Sequence, residues 1–174
     1  MNDLESIGDG IWLADGEIVS FYGFPYPTRM VVVRLASGLL WVWSPIALSA
    51  NLRSQIDELG QVAHLVSPNK LHHLYLADWQ AVYPAAQLWG TVSTIGKRKD
   101  LTFQSPLTDQ APREWLGEID HFHFTGSPAM DELVFFHRAS GTAILADLSE
   151  NFSAEFLEQH WSPWKRRIAR IWKI

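Results

Sequence analysis

Residues 63–79 read AHLVSPNKLHHLYLADW. The first four form an apolar run of the length of a buried strand, and Ser67-Pro68-Asn69 interrupts it. Beyond two adjacent histidines, His72 and His73, the positions Leu71, Leu74, Tyr75 and Trp79 share one helical stripe that stops before Pro84. The segment therefore reads as strand, polar loop and helix. Two imidazoles just past a strand end raise the question of a metal site.

Reading outward, the residues on either side alternate between strands and helices. Upstream, residues 10–13 and 18–22 read as strands around a turn at Asp15-Gly16, and FPYPT (24–28) reads as a loop because two prolines interrupt pairing. MVVVRL (30–35) and LLWVW (39–43) flank Ala36-Ser37-Gly38 as a second hairpin rich in β-branched and aromatic residues. Ser49 caps a helix carrying Leu52, Ile56 and Leu59 that Gly60 ends. Downstream, residues 88–92 make a short strand and 97–118 a long polar connection. Residues 121–125, 133–138 and 142–147 make strands, the last two joined at Ala139-Ser140-Gly141. From Ser153 helical spacing returns, with Phe156, Leu157, Trp161, Trp164, Ile168, Ile171 and Trp172 apolar, Arg170 and Lys173 polar, and one break at Pro163. This order predicts a layered α/β architecture rather than a bundle or a sandwich of strands alone.

The chain of 174 residues fits one domain, residues 1–174, and its 47% hydrophobic and 19% charged residues are those of a folded protein. A net charge of -5 leaves no basic footprint for nucleic acid. Without cysteine, disulfides and thiolate metal sites are excluded, so any metal must be held by His, Asp or Glu. MNDLESIGDG has neither the basic nor the apolar region of a secretory signal, and no stretch is long and apolar enough to span a bilayer. A soluble, cytoplasmic protein with no membrane partner is expected. Nine tryptophans suit a core first and an oligomer contact second.

Neighbouring residues on a helix point about 100° apart, so His72 and His73 converge on one ion only in a loop or at a helix start. Capping or hydrogen bonding is the commoner role of such a pair. Asp147 ends the apolar run AILAD, where α/β folds place functional carboxylates; capping the following turn is the equal alternative. His121 and His123, two apart on a strand, share a face and suit a metal, although solvent-facing positions explain them more simply. His64, His137 and His160 read as structural. Lys70, three residues before His73, lowers a neighbouring imidazole pKa and repels a second cation if it is held close, and is otherwise a solvated lysine. Gly-x-Ser-x-Gly elbow, phosphate-binding glycine loop and cysteine nucleophile are all missing.

Four stretches carry a resemblance: FYGFPYPTRMVVVRL (21–35), WVWSPIAL (41–48), HLVSPNKLHHLYLADWQAVYPAA (64–86) and GSPAMDELVFFHRASGTAILADL (126–148). Together they resemble a divergent, uncharacterised branch of the metallo-β-lactamase-like superfamily. The resemblance implies a four-layer αββα sandwich, here shortened at the C-terminus. That superfamily binds one or two metal ions with a His-x-His-x-Asp-His loop after a strand. Laid on this chain, the loop puts Pro68 and Lys70 at the first two histidines, His72 at the aspartate and His73 at the last histidine. A later Gly-His motif becomes Gly126-Ser127, the bridging aspartate is matched by Asp147, and the final histidine has no counterpart.

Positions implied for the first metal alone are thus non-ligating (Pro68, Lys70, Ser127), whereas those near the second keep ligating side chains (His72, His73, Asp147). This argues against a two-metal hydrolase. The expectation is a protein with a degenerate metal centre and a small-molecule pocket near Asn69, Lys70 and Glu132, in which the Lys70 ammonium replaces the first cation and pairs with Asp147. One alternative is a single-metal hydrolase of a small ester, lactone or phosphodiester, with one divalent metal, zinc first, on His72, His73 and Asp147. Another is a non-catalytic interaction protein using its Trp-rich surface, with the C-terminal helix folding back or making a homodimer. Whether Glu132 faces the site or the solvent is open at this level.

Overall fold

The computed structural model describes residues 3–127, 130–149 and 152–172, with side chains in the last helix as far as Arg167. A six-stranded sheet contains, in hydrogen-bonded order, β1 (Glu5–Gly8), β2 (Ile11–Phe21), β3 (Phe24–Arg34), β4 (Leu40–Trp43), β5 (Val62–Ser67) and β6 (Gln87–Gly90). The first four are antiparallel neighbours, and β4, β5 and β6 run parallel. Parallel neighbours need crossovers, supplied by α1 (Ala50–Leu59) and α2 (Leu76–Val82). After α3 (Val92–Lys97), the strands β7 (Ile119–Phe124), β8 (Glu132–His137) and β9 (Thr142–Ile144) form a separate antiparallel sheet. The chain continues through α4 (Ala154–His160) and α5 (Pro163–Trp172).

The unbroken apolar runs of β3 and β4 follow from their place between two covered faces. Successive side chains on a strand point to opposite sides. Val31, Val33, Trp41 and Trp43 therefore pack with Ile119, Leu133 and Phe135 of the second sheet. Met30, Val32, Leu40 and Val42 pack with Leu52, Ile56, Leu76 and Trp79 of α1 and α2. This is the mixed α/β, two-sheet arrangement that the sequence led us to expect. α1 starts as its sequence requires, with the Leu52 N–H donating to Ser49 Oγ at 3.1 Å. No described helix is long and apolar enough to cross a membrane.

Several elements differ from the sequence expectation. Asp15-Gly16 is not a turn but an irregularity within one long strand, β2, where the missing side chain of Gly16 lets Thr28 and Ile46 come closer than a Cβ would allow. The chain reverses instead at Tyr22-Gly23, with φ of 48° and 77°, in the two-residue loop between Phe21 and Phe24. FPYPT is strand: Pro25 and Pro27 pair with Ser20 and Ile18. Residues two apart direct their backbone donors to the same side, and β4 pairs only with Val31, Val32, Val33 and Arg34, so this half of β3 has an open edge where no donor is needed.

The helix expected from Leu71 begins only at Leu76. Asn69 Oδ1 accepts from the Leu71 N–H at 2.8 Å, and Ser67 Oγ donates to the carbonyls of Asn69 and His72 at 2.8 and 3.0 Å, so local side chains take the groups a helical ladder would use. Thr91 caps α3 instead of extending β6 to Val92. The last hairpin strand ends at Ile144 rather than Asp147.

The C-terminal segment folds back. Trp161 is buried at 4% exposure, donates through Nε1 to the Pro25 carbonyl at 3.0 Å, and packs edge-on against Phe24 and Tyr26 at the far end of the β2–β3 hairpin. Trp164 is exposed. The side chains of Ile168, Arg170, Ile171 and Trp172, and residue Lys173, which the helical stripe also invoked, lie outside the described residues.

Candidate functional site

The loop after β5 is the floor of the site. Its Pro68 carbonyl accepts from the Leu133 N–H at 2.9 Å, which joins the floor to the start of β8. Asn69 is fully buried, and its amide nitrogen donates to Asp147 Oδ2 at 2.7 Å and to Glu132 Oε2 at 3.2 Å. Glu132, 1% exposed, faces inward. Its Oε1 accepts from the Ala146 N–H at 2.9 Å, and its Oε2 from the N–H groups of Asp147 and Leu148 at 2.8 and 3.2 Å. One buried carboxylate thus ties β8, the segment after β9 and the loop after β5 into a single polar block.

His72 projects from this block toward the end of β4. Its Nδ1 lies 2.7 Å from Ser44 Oγ, and its Nε2 lies 3.2 Å from Asp147 Oδ2. The Trp43 ring lies beside it, with centroids 5.7 Å apart. Burial works against ionisation of Asp147, but the hydrogen bond and charge of His72 and the Asn69 amide outweigh it and hold the carboxyl below its usual range.

His73 is turned away from this group. Arg98 donates to its carbonyl at 2.7 Å and lies 3.4 Å from its Nδ1, and Arg98 is itself paired with Asp100 at 2.7 Å. Burial, then Lys97 and Arg98, hold the His73 imidazole below its ordinary pKa. The cations beside it come from the end of α3, which the sequence reading did not contain, and not from Lys70. The expected Lys70–Asp147 pair is not formed: the ion-pair partner of Asp147 among the described residues is His72. The Lys70 carbonyl instead accepts from Lys97 Nζ at 3.0 Å.

His121 and His123 do not converge either. His121 Nε2 contacts the Thr108 carbonyl, and His123 Nε2 lies 3.0 Å from Asp131 Oδ2, whose other oxygen accepts from Ser93 Oγ. His64 accepts from Trp89 Nε1 at 3.2 Å, and His137 pairs with Ser140 Oγ at 2.8 Å.

The donor chemistry does not fit a metal ion. Both ring nitrogens of His72 are engaged, Asp147 Oδ2 is shared between His72 and Asn69, both Glu132 oxygens are filled by N–H donors, and His73 lies against a guanidinium. Among the described residues no three of His, Asp and Glu come together as a ligand group.

Beside this block lies a cavity of about 740 Å³. It is lined by Phe21 and Tyr26 from the β2–β3 hairpin and by Lys70, Lys97, His72 and Asp147. Ser44 also lines it, and no sequence signal marked that residue.

Two buried histidines, His64 and His137, and two half-buried ones, His73 and His121, make stability depend on pH. Burial is the first cause that lowers the pKa of His64, His73, His121 and His137 from 6.5. The unfolded chain therefore protonates first, so the stability these neutral rings contribute is complete above about pH 6.5 and is lost as pH falls toward their folded values. Urea midpoints should be lower at about pH 5.5 than at about pH 7.5, an interval above the carboxylate range. An unchanged or higher midpoint at the lower pH would contradict this.

Residues 9–95 match the family described as Domain of unknown function (DUF4336). No curated protein matches the chain. Solved structures that resemble it include metallo-β-lactamases. DIM-1, exposed to ceftazidime, is 16% identical with a TM-score of 0.61, over 78% of this chain and 65% of that one. The enzyme of Hirschia baltica is 11% identical with a TM-score of 0.57, over 78% and 66%. FIM-1 of Pseudomonas aeruginosa, in a mono-zinc form, is 10% identical with a TM-score of 0.55, over 77% and 63%. At these identities the likeness concerns the fold, and the chain spans less than two thirds of the length of those proteins.

Proposed function

Because the chain belongs to this family of unknown function, and has the metallo-β-lactamase-like fold, we propose that it is a small-molecule-binding protein whose metal centre has degenerated, without two-metal hydrolase activity. One observation carries this reading: the side chains at the former metal positions satisfy one another. Asp147 is clamped by Asn69 and His72, His72 by Ser44 and Asp147, and His73 lies against Arg98. A ligand set must instead present lone pairs to a common point, supported from behind by outer hydrogen bonds. The cavity beside the block has the size of a small-ligand pocket and combines aromatic walls with a few polar groups, the usual composition of such sites.

Metal content tests this. Untagged protein is exposed to zinc, manganese and iron, desalted and analysed by elemental analysis, alongside a His72→Ala, His73→Ala double variant. Well under one ion per chain is expected in both. Close to one ion per chain, lost in the double variant, would overturn the reading in favour of a single-metal hydrolase.

A further inference from the structure

The contacts that occupy the former metal donors are arranged for a different chemistry. β4 ends at Trp43, and the next residue, Ser44, has a φ of 50°. Non-glycine residues rarely adopt this conformation, and the following Pro45 restricts the residue before it to extended backbone. Such a strained conformation persists only where the surroundings over-determine it. Here the Ser44 N–H donates to the Val66 carbonyl at 2.9 Å, and its Oγ meets His72 Nδ1 at 2.7 Å. The opposite nitrogen, Nε2, faces Asp147 Oδ2 at 3.2 Å. A carboxylate can only accept, so Nε2 carries the proton, and Nδ1 of the neutral ring presents its lone pair to the Ser44 hydroxyl. Asp147 is fixed in turn by Asn69 through its side chain and by Glu132 through its N–H. Ser44, His72 and Asp147 all line the cavity.

We propose that Ser44, His72 and Asp147 form a metal-independent nucleophilic relay that hydrolyses a carboxylic ester bearing an apolar acyl group and an anionic substituent. The proposal rests on the metal-free reading of the site given above. Ser44 Oγ attacks the acyl carbon as its proton passes to His72 Nδ1; the C–O bond to the alcohol breaks, and the alcohol leaves with that proton. Water then attacks the acyl-serine, giving a proton to the same nitrogen; the bond from Ser44 Oγ to the acyl carbon breaks, and the carboxylic acid and free serine are restored. Asp147 positions the ring. Pro45 has no N–H to meet the tetrahedral oxyanion, and the positive field for it comes from Lys97, which lines the cavity and whose ammonium is anchored on the Lys70 carbonyl at 3.0 Å. Lys70 is not ion-paired among the described residues, which leaves its charge for an anionic substituent, while Phe21 and Tyr26 offer apolar surface to the acyl group. The second Ser, Asp and His group differs in kind. There Asp131 sits between Ser93 and His123, so no imidazole faces the hydroxyl.

A fluorophosphonate probe added to the full chain in the presence of a chelator tests the relay. Ser44 Oγ bonds to phosphorus, the P–F bond breaks, fluoride leaves, and the hydroxyl proton passes through His72 to solvent. One adduct on Ser44 is expected by peptide mass spectrometry. It should be absent in Ser44→Gly, a variant that suits the positive φ and so keeps the fold, and slowed about 100-fold or more in His72→Asn. Asp147→Asn should lower the rate of the bonding step while leaving the probe's reversible affinity unchanged, a split that a merely structural role would not give. Aryl esters carrying a carboxylate should be cleaved faster than neutral ones, and Lys70→Ala should erase the preference. No adduct on folded protein, an adduct elsewhere, or wild-type labelling of His72→Asn would overturn the relay. Adduct formation that needs an added metal would instead overturn the metal-free reading beneath it, whereas metal-free protein that does not label leaves that reading standing and removes only the relay.

Discussion

Glu132→Ala is expected to lose about 3–5 kcal/mol of stability, as measured by urea unfolding, because it strips the shared acceptor from four donors at once, among them the fully buried Asn69 amide. The Ala146, Asp147 and Leu148 N–H groups and the Asn69 amide all point at this one carboxylate, which is 1% exposed. Domains of this kind have only about 5–15 kcal/mol in total, so the variant should melt markedly lower. Glu132→Gln keeps the shape but presents an NH₂ to at least one N–H, and should fall between Ala and wild type. A loss under about 1 kcal/mol for Glu132→Ala would mean that water replaces the carboxylate, and that the block is not the brace described here.

Tryptophan substitutions on opposite faces of the central sheet should separate packing from hydrogen bonding. Trp41→Ala and Trp79→Ala should each cost about 3–5 kcal/mol, since both rings are fully buried. Trp41 lies between the sheets, with Phe135 and Trp115 at centroid distances of 5.0 and 6.2 Å. Replacement by phenylalanine should split the pair. The Trp41 Nε1 has no hydrogen-bond partner among the described residues, so Trp41→Phe removes an unsatisfied donor along with some volume. Trp79 Nε1 donates to the Ile46 carbonyl at 2.7 Å, and Trp79→Phe orphans that acceptor. Thermal melts should show the larger loss for Trp79→Phe; equal losses would mean that volume alone decides.

Much of the fold was legible because its signals are local. The runs at residues 30–35 and 39–43 carry strand propensity and a glycine turn, and the observed hairpin follows. Ser49 and Ser153 are both caps in the structure, with 3.1 Å hydrogen bonds into the first turn. Errors arose where partners distant in sequence override a local preference. Prolines at 25 and 27 read as a loop, yet they pair because β4 leaves that edge uncovered. The stripe from Leu71 to Trp79 read as one helix, yet Ser67 and Asn69 take its first backbone groups.

At the candidate site the sequence supplied the residue types, and proximity supplied the relations among them. His72 and Asp147 stand out by their places at or past strand ends, Asn69 and Glu132 only as neighbours of the expected pocket, and the fold brings these four together. That His73 turns to Arg98, and that Asp147 takes His72 rather than Lys70, depends on contacts spanning tens of residues and on α3, which had no clear signal.

The sequence by itself determined the alternation of strands and helices, the apolar hairpin of residues 30–43 and the exclusion of thiolate chemistry, because composition and periodicity act over a few residues. Only the tertiary structure decided that Ser44, without a glycine on either side, is held at positive φ against His72. Its partners are 28 residues away for the imidazole and a further 75 for the carboxylate, and that distance is closed by packing alone.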